Sequence, residues 1–384
     1  MNCPISGEGS KPSVTAVIPT HNRLNFLKRS LRTVLVQQGV VLEVIVVDDG
    51  SDDDTAGYVD QIGDDRVRLV RHEVPAGVAA ARNSGLRRAR GDWVAFLDDD
   101  DLWAPDKLAA QLEAARRHGE ARWVCTGSVT VDEGLQVLAV TPPAPKADLS
   151  NLLAYNHIPG GASGIMVRVE LARSVGGFDT DLSNMADWDM WIRLSLESPL
   201  ASVRRPLVAR FEHEGGLSGN PRGILEEFER VTVKYGTIRE ERGVMPSGAT
   251  LNWFARRQVE AGNGRAAARN YFHVAHTFGD HKSWGRAVVA YVHAELLRKR
   301  WSQHARRTLD SPWMDEAEAW LAPLREWTVE HESGSWGSTG KDADIATEAP
   351  GDRHREVPRG AEGDPAPSSG GQSSPPGTHG ASGS

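Results

Sequence analysis

Leu42-Glu43-Val44-Ile45-Val46-Val47-Asp48-Asp49-Gly50-Ser51 decides the fold class of this chain. Its nearly unbroken β-branched run has no polar face, so the strand it forms must be covered on both sides, as in parallel sheets layered between helices. The neighbouring stretches agree. Residues 14–18 read as a strand, and residues 25–37 set Phe26, Leu27, Leu31, Val34 and Leu35 at helical spacing. Residues 66–71, 77–90 and 93–97 then repeat strand, helix, strand. This alternation predicts an α/β fold with a mostly parallel sheet, of a nucleotide-binding type.

Further along, residues 105–118 form a predicted helix opened by Pro105, and residues 122–140 read as two strands around an Asp132-Glu133-Gly134 turn. Residues 156–186 are glycine-rich and read as loops, residues 187–197 as a helix and residues 201–211 as a strand. Beyond about residue 220 strand signals stop and amphipathic helices continue to about residue 330. The predicted organisation is a flexible N-terminus over 1–12, an α/β domain over 13–220, a helical module over 221–330 and a disordered tail over 331–384. In that tail Gly, Ser, Pro and charge leave too few apolar groups to offset the entropy of ordering.

Composition removes several classes. A net charge of −8 over 384 residues opposes nucleic-acid binding. Cys3 and Cys125 are the only cysteines, too few for a disulfide framework, and Cys125 lies in a β-like run where a buried thiol is expected. The first residues lack a basic segment followed by an apolar one, and no stretch reaches the roughly 18 apolar residues of a membrane span. A cytoplasmic chain is expected, with peripheral contact at the inner face of a membrane left open. Residues 284–307 mix aromatics with Arg298, Lys299, Arg300, Arg306 and Arg307, either as a solvated basic helix end or as a dock for anionic lipid or a partner protein.

The chemistry concentrates in Phe96-Leu97-Asp98-Asp99-Asp100-Asp101-Leu102-Trp103. Four adjacent carboxylates repel one another unless a cation or solvent offsets them. In an extended segment Asp98 and Asp100 share a face, and two hard oxygen ligands there suit Mg²⁺ or Mn²⁺ with positions open for a substrate's phosphates. Asp99 and Asp101 would point the other way and either tie down the loop or cap the helix at Pro105. The first strand ends in Ile18-Pro19-Thr20-His21-Asn22-Arg23 and the second in Asp48-Asp49-Gly50-Ser51. Ligands of open α/β sheets lie beyond the carboxyl ends of the strands, so these tips and the acidic run share one crevice. There Asp49 can accept from a base N–H or ribose hydroxyls, or the acids of residues 48–54 simply cap the next helix. The small residues of Gly77-Val78-Ala79-Ala80-Ala81-Arg82-Asn83-Ser84-Gly85 let a helix lie close to the sheet. Arg82 then reaches a phosphate or the carboxylates, unless it is a solvated surface arginine.

These strings, with Gly176-Gly177-Phe178-Asp179 and Asp187-Trp188-Asp189-Met190-Trp191-Ile192-Arg193, resemble family 2 glycosyltransferases of the GT-A fold in order and spacing over about residues 13–220. The resemblance implies that Pro19, Thr20, Asn22 and Arg23 line a nucleotide pocket and that Asp49 holds the base, usually uracil in this family. It places Arg82 and Asp99 on the donor side, makes Asp98 and Asp100 the DxD pair for metal and diphosphate, and makes Asp187 the catalytic base. His213 falls on a loop that would close over the diphosphate. The family often carries Glu-Asp before the tryptophan, whereas Ala186 precedes Asp187 here. Asp189 is the alternative base, although on a helix it faces about 200° away from Asp187. Trp188 and Trp191 either stack on a sugar or belong to the core.

The implied activity is metal-dependent, inverting transfer from a nucleotide-diphosphate sugar, first of all a UDP-sugar, to an acceptor hydroxyl in cell-surface glycan or glycoconjugate biosynthesis. Glycan, lipid-linked and small-molecule acceptors all remain open. A sugar nucleotidyltransferase would need a glycine-rich phosphate loop after the first strand, where Pro19 to Arg23 stand instead, and a dehydrogenase would need Gly-x-Gly-x-x-Gly there. A non-catalytic nucleotide-sugar binder sits poorly with an intact set of Asp98, Asp100 and Asp187.

Overall fold

The computed structural model describes residues 13–142, 148–211, 223–260, 262–305 and 312–331. The expected N-terminal segment 1–12, His213 with its loop and the tail beyond His331 lie outside the described residues. Among the described residues nine strands make one sheet: β1 (Ser13–Thr20), β2 (Val41–Asp48), β3 (Val67–Arg71), β4 (Trp93–Phe96), β5 (Asp101–Trp103), β6 (Trp123–Val131), β7 (Val137–Thr141), β8 (Ile165–Arg168) and β9 (Leu200–Phe211). Their order is β3-β2-β1-β4-β8-β6-β9-β5, with β7 paired to β6.

The first four strands are parallel, and Thr20 pairs with Asp48 while Val17 pairs with Phe96, so three strands end along one edge. From β8 onward antiparallel pairs enter, β4 with β8, β8 with β6 and β9 with β5, around a parallel β6–β9 ladder. Helices α1 (Leu24–Leu35), α2 (Thr55–Gln61), α3 (Val78–Arg88) and α4 (Lys107–His118) connect the first strands. Short helices α5 (Leu149–Ala154) and α6 (Val169–Ser174) and the longer α7 (Ala186–Glu197) complete the α/β part.

The period of two turns alternate residues of β1 and β2 toward opposite helix layers, so the middle of each strand is apolar on both faces. Ala16, Ile18, Val44 and Val46 pack with Leu27 and Leu31 of α1, while Val17, Ile45 and Val47 face Ala81 and Leu86 of α3. At Gly85 a Cβ would stand 2.3 Å from the Val17 side chain, so the small residues of α3 do bring this helix close to the sheet.

The later helices are α8 (Gly223–Lys234), α9 (Gly236–Arg242), α10 (Ala249–Glu260), α11 (Gly264–Phe278), α12 (His281–Ala305) and α13 (Pro312–His331). Ile224, Phe228, Tyr235 and Phe254 join the same apolar cluster as α3 and α7, so this helical region shares its core with the sheet. Helix α13 returns to cover the far end of the sheet. Its Ala317 and Leu321 pack on Leu102, Val129 and Phe211, and Trp320 Nε1 donates to the Pro206 carbonyl at 3.1 Å.

Candidate active site

At the edge where β1, β2 and β4 end, a cleft of about 610 Å³ is lined by Pro19, Thr20, Arg23, Asp49, Arg82 and the acidic run, among others. The acidic run is a turn rather than an extended segment: the Asp101 amide donates to the Asp98 carbonyl at 3.0 Å. The turn still separates the carboxylates by exposure. Asp98 and Asp100 remain partly open to the cleft, whereas Asp99 and Asp101 are buried.

Arginines and a hydroxyl offset the repulsion. The Thr20 hydroxyl donates to Asp99 at 2.8 Å, and Arg23 donates to Asp100 at 2.9 Å and to Asp99 at 3.4 Å. Arg210 of β9 stands 3.9 Å from Asp101. Burial, reinforced by the Asp100 charge, pushes the Asp99 carboxyl up to about 7 against the opposing effect of Arg23. Burial likewise holds Asp101 well above the usual carboxylate range.

Asp49 occupies the cleft wall but is already engaged. Its carboxylate accepts from His72 Nδ1 at 2.6 Å and from the Ala76 and Gly77 amides at 2.9 and 2.8 Å. Burial alone would raise this group, but these donors outweigh it and hold the carboxyl below its ordinary range. Asp49 therefore clasps the connection from β3 to α3, with lone-pair capacity left for a base. The capping reading fits Asp53, which accepts from the Leu24 amide at 3.1 Å and the Thr55 amide at 3.2 Å.

Asn22 departs from its expected place. Its backbone is left-handed at φ 54°, and its side chain accepts from the Asp52 amide at 2.7 Å. This fastens it to the loop after β2, and His21 lines the cleft instead.

Arg82 is buried and bridges two carboxylates far apart in sequence: Nη1 donates to Asp187 at 2.9 Å and Nη2 to Asp98 at 2.5 Å. The Phe178 ring lies under its guanidinium at 5.1 Å and meets Phe96 edge-on at 5.0 Å. A surface-arginine reading is thereby excluded. Burial opposes its charge, yet Asp98 and Asp187 outweigh burial and hold it protonated. Asp187 stands in the first turn of α7. Burial raises its carboxyl above the ordinary value, and Arg82 works in the opposite direction.

The remaining residues of the second string are structural. Asp189 is fully buried and takes Arg193 at 2.6 Å, the Tyr235 hydroxyl at 2.7 Å and Lys234 at 2.7 Å, so it faces away from the cleft and is no base for it. Trp188 stacks on Phe228 at 5.8 Å and Trp191 on Trp123 at 5.9 Å, both inside the core.

Glu227 of α8 gives no signal in the sequence. Its buried carboxylate accepts from the Ser183, Asn184 and Met185 amides at 3.1, 2.7 and 2.9 Å, the turn that leads into α7 and Asp187. An anion at a helix N-terminus satisfies orphan amides and favourably meets the helix dipole. A carboxylate from a distant helix thus stands against the segment before Asp187, where Ala186 supplies none. Helix α10 also reaches the cleft, contributing Trp253 and Arg257 to its wall.

Among the described residues no three His, Cys, Asp or Glu side chains form a ready metal cage. Asp98 and Asp100 nevertheless offer carboxylates to the cleft. Mg²⁺ commonly takes one or two carboxylates and fills its shell with substrate phosphates and water, so the donor set fits a hard divalent ion.

The fold is the GT-A type. The Staphylococcus aureus TarS fragment 1–349, solved in complex with UDP-GlcNAc, superposes with a TM-score of 0.53 at 17% identity over 75% of this chain and 92% of that one. The sequence model of Glycosyl transferase family 2 matches residues 15–174. An uncharacterized glycosyltransferase of Haemophilus influenzae is 30% identical over 201 residues, 51% of this chain and 67% of that protein. The succinoglycan biosynthesis protein ExoO of Rhizobium meliloti is 43% identical over 108 residues, which is 28% of this chain but only 31% of ExoO. The putative teichuronic acid biosynthesis glycosyltransferase TuaG of Bacillus subtilis is 42% identical over 105 residues, 27% of this chain and 42% of TuaG. The chain belongs to glycosyl transferase family 2.

Proposed function

We propose that this protein transfers a sugar from a nucleotide-diphosphate donor, a UDP-sugar by first choice, to an acceptor hydroxyl with inversion at the anomeric carbon. The observation that carries this reading is the Arg82 bridge, which sets Asp187 one guanidinium away from Asp98 in a single cleft. Asp187 takes the acceptor's proton as that oxygen bonds to the anomeric carbon, and the bond from that carbon to the diphosphate oxygen breaks on the opposite side. Arg82 keeps Asp187 ionised despite its burial and keeps the base beside the diphosphate subsite. Thr20 and Arg23 position the acidic turn on which the diphosphate sits. Asp98 and Asp100 would hold Mg²⁺ or Mn²⁺, which when bound stabilises charge on the departing diphosphate.

The UDP preference is supported by the UDP-GlcNAc bound to the TarS fold relative. A cell-surface polysaccharide acceptor is supported by the succinoglycan and teichuronic acid roles in the names of ExoO and TuaG. Incubation with Mn²⁺ and a panel of UDP-, dTDP- and GDP-sugars tests the reading. Slow, metal-dependent release of nucleoside diphosphate from one donor is expected. Absence of both binding and turnover for every donor with either metal overturns it.

A further inference from the structure

Away from the cleft, α11 and α12 leave an apolar face in solvent. Trp284, Val288, Tyr291 and Val292 are exposed and recur at i, i+4, i+7 and i+8, which places them on one side of α12. Val288 and Tyr291 are 62% and 64% exposed, well beyond a core helix's margin. Phe272 of α11 extends the face, with its ring edge-on to Trp284 at 4.8 Å. The opposite side of α12 is anchored, because Ala287, Ala290 and Leu297 pack in one cluster with Ala267 and Tyr271. The exposed row is therefore spare to the fold.

The charge of this stretch of sequence runs against that of the whole chain. Between His281 and Arg307 the sequence holds seven Lys or Arg and a single acid, Glu295, in a chain whose net charge is −8. Lys282, in the first turn of α12, and Arg269, one turn before Phe272 on α11, are exposed. A second copy meeting this face would bring like charges together. A tryptophan and a tyrosine within an aliphatic row, flanked by cations, match the interface of an anionic bilayer, where aromatic rings sit at headgroup level and cations meet lipid phosphates. No helix among the described residues is long and apolar enough to cross a membrane.

We propose that the Phe272–Trp284–Tyr291 face of α11 and α12 docks this protein on the surface of an anionic phospholipid bilayer, with the part of α12 before its break at His293 lying in the interface. None of these residues lines the cleft, so the proposal stands apart from the donor chemistry.

Co-sedimentation of the full chain with phosphatidylcholine vesicles, with and without about 30% phosphatidylglycerol, tests it. Wild type is expected to pellet with the anionic vesicles and to be released by salt. The double variants Val288→Glu/Tyr291→Glu and Lys282→Glu/Arg286→Glu each bind about tenfold more weakly or worse, with unchanged thermal melting and unchanged nucleoside diphosphate release. Two pairs are used so that one misfolded variant leaves the other to decide. Failure of wild type to pellet, equal pelleting with neutral vesicles, or full binding by both variants overturns the proposal. So does a wild-type dimer that Val288→Glu/Tyr291→Glu dissolves, because that assigns the face to a second copy. Vesicle binding is read without donor, so a failed sugar-transfer reading leaves this result unaffected.

Discussion

The parallel half of the sheet and the region beyond β8 furnish the same cleft by different physical means. Strands β1 and β2 end level at Thr20 and Asp48 and β4 stops at Phe96 opposite Val17, so Thr20, Asp49 and Asp98 follow almost automatically from where each strand stops. Asp187 reaches the cleft through packing: α7 is set by two core tryptophans, and the turn before it is held by a carboxylate from α8. The proposed donor side is thus a property of local sequence, and the proposed base side a property of tertiary assembly. Arg82 is where the two meet.

The sharpest way to break this comparison is to remove the joint. Arg82→Met should lower transfer by roughly a hundredfold or more, in the range typical for disabling acid–base machinery. Without its cation Asp187 becomes harder to ionise, so the ascending limb of the pH–rate profile moves to higher pH. The stability cost should stay moderate, since Asp98 and Asp187 are partly open to the cleft and can hydrate. A variant that retains wild-type rate and profile would show that the two regions work independently.

A smaller effect is expected from the base side alone. Glu227→Gln should reduce kcat by about tenfold with little change in donor KM, because the group sits behind the base rather than against the donor. Loss of this anion leaves the N-terminal field of α7 uncompensated, which favours ionised Asp187 and moves the ascending limb to lower pH. The opposite shifts of Arg82→Met and Glu227→Gln separate positioning through charge from simple loss of structure.

The smallest effect belongs to the donor side without ligand. Folded Asp99 keeps its proton up to about 7, whereas an unfolded aspartate loses it near about 4. The folded chain therefore holds the extra proton between those values, and the contribution of this carboxyl to stability declines as pH rises through the window. Asp99→Asn should raise Tm in metal-free, donor-free buffer, more near about pH 8 than near about pH 4. Thermal melting across pH checks it.

The same division governs what the sequence could reveal. The strand and helix alternation, the acidic run and the reach of Arg82 toward a carboxylate were readable because their signals are local or lie in well-marked strings, whereas the bridge from Arg82 to Asp187 spans 105 positions and emerges only from the fold. The glycine-rich stretch 156–186 hid β8 and α6, for a strand of four residues is too short to display a period. Asn22 was misplaced because its left-handed backbone turns it toward the loop after β2, which no residue pattern announces. Glu227 was invisible since its partners are backbone amides more than forty residues away. Helical spacing already turns Asp189 away from Asp187, but its partners Arg193, Lys234 and Tyr235 lie partly on another helix and carry no signal in the sequence.

Donor binding and transfer measured side by side for Asp187→Asn and Asp100→Ala test the central claim most directly. With Mn²⁺ and the active donor, Asp187→Asn should bind donor within about twofold of wild type while transfer falls by roughly a hundredfold or more. Asp100→Ala should lose metal-dependent donor binding itself. Transfer at the wild-type rate by Asp187→Asn, or undiminished donor binding by Asp100→Ala, would contradict the account.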